Sequence, residues 1–192
     1  VDERVDILKF DDRPVGVCKV MGLALGSYGE ALERLTPDLL VVLGDRYESF
    51  CIASSAHVLG IPIAHIHGGE LTAGAVDEAF RHSITKMSQI HFPACEVYRQ
   101  RIIQLGERPD HVFNVGALGV ENIQKISMME RDELSNSIGF PLDCPFFLVT
   151  FHPVTLENAT ADSQLDELFA GLEQFPEHRV LFTKANADTD GQ

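Results

Sequence analysis

Two short apolar runs, separated by a segment of helix length, constrain the fold of this chain more than any other feature. Residues 38–44 contain one continuous apolar run, too short for a typical helix, and residues 61–67 contain the other. The 47–59 segment between them is predicted to be a helix, with Gly60 just past its end. Because strands covered on both faces are continuously apolar, the pattern predicts a βαβ unit of a parallel sheet.

The same alternation continues along the chain. Further helices are predicted at residues 15–35, 76–88 and 96–105, and further strands at residues 89–94 and 111–115. This alternation indicates an α/β fold with a doubly wound parallel sheet.

A second domain is predicted to begin at residue 140. Residues 121–139 are polar and helix-prone, whereas a new strand, helix and strand are predicted at 146–152, 163–175 and 179–184. We therefore predict a first domain over residues 1–139 and the start of a second over residues 140–192.

The charge and composition of the chain limit its partners. A formal charge of −14 repels nucleic acid and anionic membranes. No apolar run approaches the ~20 residues of a membrane helix, and no signal peptide opens the chain. The four cysteines form no Cys-x-x-Cys pair, which disfavours disulfides and thiolate zinc. These features predict a cytoplasmic protein with a small-molecule ligand.

Asp45 and Arg46 follow the first apolar run directly. In a parallel sheet, ligands bind at the carboxyl ends of the strands, and the amides at the start of the next helix favour an anion. An acid and a base at this position could serve catalysis. Equally, Asp45 could cap the helix while Arg46 forms an ordinary ion pair.

The second apolar run ends in a glycine turn. Side chains alternate along a strand, so His65 and His67 are predicted to share one face, with Glu70 just beyond Gly68 and Gly69. Two histidines and a carboxylate could bind a metal, exchange protons or form hydrogen bonds. Either histidine could also be a buried structural residue.

The helix predicted at 76–88 carries two pairs of polar residues at a spacing of four. Asp77 and Arg81 stack on one edge of its apolar stripe, and Glu78 and His82 stack further round. Partial burial there could shift a carboxylate pKa for proton transfer, and Arg81 could hold a phosphate or a carboxylate. The alternative is a pair of ordinary surface ion pairs.

Two further polar groups lie in the second predicted domain. His152 ends its first strand, and Asn186 lies in the segment after its next strand. Strand ends that face a cleft between domains are typical binding positions, whereas a solvated turn is the alternative for both residues.

Five motifs together closely resemble the hydrolysing UDP-N-acetylglucosamine 2-epimerases of bacterial sialic acid and legionaminic acid synthesis. They start at Val41-Val-Leu-Gly-Asp-Arg, His65-Ile-His-Gly-Gly-Glu, Asp77-Glu-Ala-Phe-Arg-His, Asn114-Val-Gly-Ala-Leu-Gly and Thr150-Phe-His-Pro-Val-Thr. The resemblance implies two Rossmann-like halves of the type found in GT-B glycosyltransferases, with a UDP-sugar between them. It also implies a longer protein, of which this chain would be a central part that is inactive alone.

The family reaction implied by this resemblance removes the C2 proton, expels UDP to leave a 2-acetamidoglucal, and then adds water with inversion at C2. No cofactor or metal is implied, and a homodimer or homotetramer is expected. Non-hydrolysing relatives have a glutamate where this chain has His67, so either His67 or Glu70 could be the base; Glu70, the carboxylate nearest the turn, is favoured, with His67 assisting. The implied catalytic residues are Asp45, His67, Glu70, Asp77, Glu78 and His152, and the implied substrate-binding residues are Arg46, Arg81, His82 and Asn186.

Three alternatives remain open at this point. The same chemistry could act on UDP-N,N'-diacetylbacillosamine, or the chain could be a nucleotide-sugar-binding module without catalysis. A metal-dependent hydrolase built on His65, His67, Glu70 and His82 is the third.

Overall fold

The computed structural model describes residues 3–7, 13–152 and 161–184. Residue contacts divide the chain into two compact units, Val1–Gln124 and Lys125–Gln192. The division precedes the 139/140 boundary expected from the sequence because the helix before Phe140 is tied to the second unit. The Ser135 hydroxyl donates to the Phe140 carbonyl, and the Phe140 ring packs against Phe146 at 5.7 Å. The limits of the domains themselves stay a prediction.

The first unit is a parallel three-stranded sheet with its connecting helices. The strands lie in the order β1-β2-β3, with Val42 beside His65 and His65 beside His91. The predicted βαβ pattern is therefore confirmed. In chain order the elements are α1 (Pro14–Leu35), β1 (Leu40–Leu43), α2 (Tyr47–Val58), β2 (Ile63–Ile66), α3 (Asp77–Met87), β3 (Ile90–Phe92), α4 (Glu96–Gln104) and α5 (Leu118–Lys125).

The strand predicted at 111–115 is wrong in its extent. Residues Pro109–His111 form a single 3-10 turn, and Val112 alone pairs with His91 as an isolated bridge. Proline favours the first position of such a turn. The chain is therefore still in the turn at His111 and first pairs with the sheet at Val112. Beyond the bridge, the Phe113 amide still donates to the His91 carbonyl at 2.9 Å.

Small residues let the helices of the first unit pack closely on the sheet. Ala53 and Ala56 of α2 are fully buried between Leu32 of α1 and the strand residues Val42 and Ile63. We expected β1 to be covered on both faces. In the described part of the chain one face is open, because alternate residues point away from the helices: Val41 and Leu43 are 56% and 57% exposed.

The second unit contains α6 (Arg131–Ile138), β4 (Phe146–Val149), α7 (Ala161–Leu172) and β5 (Arg179–Phe182), with β4 and β5 paired in parallel. Aromatic contacts join its strands to α7 and to the segment that follows it. Phe147 of β4 packs edge-on against Phe175 at 5.4 Å, and Phe169 of α7 contacts Phe182 of β5 at 5.7 Å. Across the described residues of both units, no helix is long and apolar enough to cross a membrane.

Candidate active site

The polar residues of the first unit gather where β1 and β2 end. Leu43 and Ile66 are the last paired residues of the two strands, and the Gly44 amide extends the ladder by donating to the Ile66 carbonyl at 3.1 Å. Asp45 and His67 therefore leave the sheet side by side, at the edge where parallel α/β sheets bind ligands.

Arg81 of α3 reaches across to this edge and forms an ion pair with Asp45. Its side chain is 7% exposed, against 23% for Asp45. The same guanidinium donates to the Thr72 hydroxyl at 3.0 Å, and burial lowers the pKa of Arg81. Arg81 is therefore a buried residue and does not belong to the exposed surface of α3. Within the described residues its buried Nη1 has no hydrogen-bond partner, so it can donate to a ligand oxygen.

Glu78 and His82 lie one turn apart on α3. The Glu78 carboxylate accepts the Thr72 amide at 3.0 Å, and its other oxygen lies 3.9 Å from His82 Nε2. Burial lowers the pKa of His82. Its buried Nδ1 has no partner among the described residues. Thr72 thus links Glu78 to Arg81, a role for which the sequence offers no signal beyond a hydroxyl in the turn before α3.

The glycine turn after β2 is held in an unusual conformation. His67 has a φ of 63°, in the left-handed region that non-glycine residues seldom adopt, and its Nδ1 lies 2.9 Å from Glu70 Oε1. Helix α4 presses against this turn: a Cβ at Gly69 would lie 2.5 Å from the Tyr98 carbonyl oxygen. Arg101 donates to the Gly69 carbonyl. The His67–Glu70 pair is therefore fixed by its backbone.

His65 and His67 bind different partners. Strand β2 ends at Ile66, and the positive φ of His67 interrupts the alternation on which the shared face was predicted. The His65 ring is fully buried and contacts Gly44 and Thr85 instead.

The other predicted site residues lie in the following places. Arg46, just before α2, pairs with Glu48 of its first turn at 3.2 Å, as in the ion-pair alternative, and half-buried Asp77 is the first residue of α3. His152 is exposed after β4 in the second unit. Asn186 lies outside the described residues.

A cleft of about 430 Å³ lies beside the Glu78–His82 pair. Small and apolar side chains make up most of its wall, and the two polar residues lie on its α3 side. The lining residues are Leu71, Ala73, Gly74, Ala75, Glu78, Ala79 and His82. Across 3–7, 13–152 and 161–184, no three histidine, cysteine, aspartate or glutamate residues are grouped so as to hold a metal ion.

The chain is similar to known sugar-nucleotide enzymes over its whole length. The sequence model of UDP-N-acetylglucosamine 2-epimerase matches residues 2–192. A Campylobacter jejuni protein, named GDP/UDP-N,N'-diacetylbacillosamine 2-epimerase (hydrolyzing), is 39% identical over 191 residues, which cover 100% of this chain and 50% of that protein. The polysialic acid biosynthesis protein P7 of Escherichia coli is 44% identical, with 88% of this chain and 43% of that protein covered.

The fold is similar to that of solved structures as well. The UDP-GlcNAc 2-epimerase of Neisseria meningitidis, solved bound to UDP-GlcNAc, matches with a TM-score of 0.72 at 18% identity, over 92% of this chain and 50% of that one. This likeness confirms the predicted fold class. The chain spans about half the length of the relatives that it matches. From the family match and these identities, we conclude that the chain belongs to the UDP-N-acetylglucosamine 2-epimerase family.

Proposed function

We propose that the protein carrying this chain is a hydrolysing UDP-sugar 2-epimerase, and that the first unit supplies the groups that move protons at C2 of the sugar. The observation that carries this proposal is the buried Arg81–Asp45 pair at the strand ends, with the His67–Glu70 and Glu78–His82 pairs on neighbouring segments. Family membership supplies the reaction class.

The reaction needs two proton transfers. In the first step the C2–H bond and the C1–O bond to UDP break while a C1–C2 double bond forms. In the second, water supplies the hydroxyl at C1 and a proton returns to C2 on the opposite face, which inverts that carbon. A base and an acid on opposite sides of C2 meet this requirement.

The His67–Glu70 pair suits the role of base. A carboxylate accepts, so the hydrogen bond between Nδ1 and Oε1 places the ring proton on Nδ1 and leaves Nε2 with a free lone pair. His67 would then take the proton while Glu70 orients the ring. The family resemblance favours Glu70 itself as the base, and the two assignments make different predictions for the Glu70→Gln variant.

Glu78, His82 and Asp45 are the residues that we assign to proton transfer on the opposite face of C2. Glu78 is fixed by the Thr72 amide yet keeps one oxygen toward His82. Arg81 Nη1 can donate to a substrate oxygen. We include Asp77, His152, Arg46 and Asn186 in the proposal on the family resemblance alone.

The cleft beside Glu78 is where we place the acetamido group of the sugar. Methyl groups of alanine suit the acetyl methyl, and Glu78 and His82 can bind the amide N–H and the carbonyl. This chemistry fits both N-acetylglucosamine and N,N'-diacetylbacillosamine. The first is the substrate that we propose, leading to N-acetylmannosamine for sialic acid synthesis. The second is the alternative, which the name of the Campylobacter relative favours.

The test is UDP release from each UDP-sugar by the full-length protein, followed by ³¹P and ¹H NMR. We expect free UDP and a C2-inverted 2-acetamido sugar from one of the two substrates, and none from the Asp45→Asn variant. Tight UDP binding without turnover of either substrate would refute the enzyme and favour the binding module. A cytoplasmic location and a homo-oligomer, dimer or tetramer, complete the proposal.

A further inference from the structure

His65 is a fully buried titratable residue to which the proposed reaction gives no role. It occupies the third position of β2, between Val42 of β1 and His91 of β3. Its Nε2 lies 2.8 Å from the Gly44 carbonyl oxygen, and its Nδ1 lies 3.2 Å from the Thr85 hydroxyl. Both ring nitrogens are therefore occupied by protein groups, and no ring atom is open to a substrate.

These partners determine where the ring proton lies. A carbonyl oxygen can only accept, so Nε2 carries the proton and donates to Gly44. Nδ1 of the neutral ring is then an acceptor, and it shares the proton of the Thr85 hydroxyl with the Arg81 carbonyl oxygen. Burial lowers the pKa of His65 to about 4, which keeps the ring neutral near pH 7.

The two residues that His65 contacts, Gly44 and Thr85, each lie on the same segment as a proposed site residue. Gly44 immediately precedes Asp45, and it has a φ of 79° that glycine adopts without strain. Thr85 follows Arg81 by one turn of α3, and the Arg81 carbonyl oxygen, 3.0 Å from the Thr85 hydroxyl, shares the single hydroxyl proton with His65 Nδ1. The imidazole thus connects the backbone of Asp45 to the backbone of Arg81, the two partners of the buried ion pair.

The backbone at Gly68 also packs against the His65 ring. A Cβ at Gly68 would lie 2.9 Å from His65 Nδ1 and 3.1 Å from the Thr85 hydroxyl oxygen. The backbone after His67 therefore lies directly against the imidazole, and only glycine fits there without displacing it.

We propose that His65 is a positioning residue, which sets the geometry of the Asp45–Arg81 pair and of the His67 turn by holding Gly44, Thr85 and Gly68 on one imidazole. This inference rests on the proposed function, because the segments that His65 holds are those assigned to proton transfer. His65 acts through them and touches no reacting atom.

Three substitutions separate positioning from packing. His65→Gln keeps an amide donor near the Nε2 position, His65→Asn keeps a polar group only near Nδ1, and His65→Leu keeps bulk alone. In the full-length protein we expect His65→Leu and His65→Asn to lower kcat about 10²-fold, since small misplacements of catalytic groups cost on this order. KM should change less than kcat, because the ring touches no substrate atom and affects substrate binding only through Arg81. The kcat of His65→Gln should be at least about tenfold higher than that of His65→Leu. His57→Leu, at an exposed position of α2, is the matched control.

Two outcomes overturn the inference: a folded His65→Leu protein with kcat within about threefold of wild type, or equal impairment of the Gln and Leu variants. If the Leu variant does not fold, the Asn variant takes its place in both comparisons. A measurement independent of activity is the ¹⁵N spectrum of the wild-type histidines at pH 7, where we expect a neutral ring protonated on Nε2. A ring protonated on Nδ1 or on both nitrogens contradicts the contact. Wild-type protein that turns over no UDP-sugar would refute the proposed function, and the spectrum would still test the contact.

Discussion

Removing the carboxylate of Asp45 while Arg81 stays in place should destabilise the first unit strongly. The guanidinium is 7% exposed, so the Asp45→Asn variant leaves a charge that water barely reaches. Breaking a fully buried pair in this way costs about 3–5 kcal/mol. Asp45 itself is 23% exposed, and the water that enters on its side reduces the expected cost to about 2–3 kcal/mol.

The reverse substitution should cost less. Arg81→Met removes the buried charge, fills its space with an apolar chain and leaves Asp45 in partial contact with water. We expect a loss of about 1–2 kcal/mol, which includes the hydrogen bond to Thr72. The double variant should be about 1–2 kcal/mol more stable than the sum of the two single changes predicts.

The assay is urea unfolding of the four proteins, followed by amide resonances of the first unit so that the second unit does not contribute. Asp110→Asn is the control, because its partner Arg108 is 71% exposed at the side chain and the pair should contribute nothing measurable. Equal costs for the two single variants, or a coupling below about 0.5 kcal/mol, would refute the burial of this pair.

Three further predictions concern the glycine turn and the histidines. Gly69→Ala should destabilise the first unit by about 2–3 kcal/mol, because its Cβ meets a backbone carbonyl of α4, whereas Gly116→Ala, with a similar φ and open space, should cost about 1 kcal/mol in the same unfolding assay. The pKa of His65 falls from 6.5 to about 4 on folding, so the unfolded chain binds its proton first as the pH drops. About 3 kcal/mol of stability should therefore be present above pH 6.5 and be lost toward pH 4, and His65→Gln should remove this part of the pH dependence. For UDP release, Glu70→Gln should lower kcat only about tenfold if His67 is the base, and His67→Gln about 10²-fold or more; the opposite order would assign the base to Glu70.

The sequence period predicts most helices and strands of this chain, because burial along them follows regular spacing. The predicted helix at 15–35 and strand at 61–67 correspond to α1 and β2. Failures occur where one residue overrides the pattern. Pro109 replaces the start of a predicted strand with a turn, and the left-handed backbone at His67 ends the alternation from His65.

Site contacts are harder to predict than elements. Helical spacing suggests Asp77 as the neighbour of Arg81, yet Arg81 binds Asp45, 36 residues earlier in the chain. That contact depends on how α3 lies across the strand ends, which spacing within one helix cannot give. Thr72 belongs to the same cluster for the same reason, through one backbone and one side-chain hydrogen bond.

The most direct test of the proposed chemistry is turnover of UDP-N-acetylglucosamine and UDP-N,N'-diacetylbacillosamine by the full-length protein in D₂O. Removal and return of the C2 proton predicts a released sugar that carries deuterium at C2, with one free UDP for each sugar formed. A released sugar that keeps its original C2 proton, or a sugar still joined to UDP, would contradict proton transfer at C2 with loss of UDP.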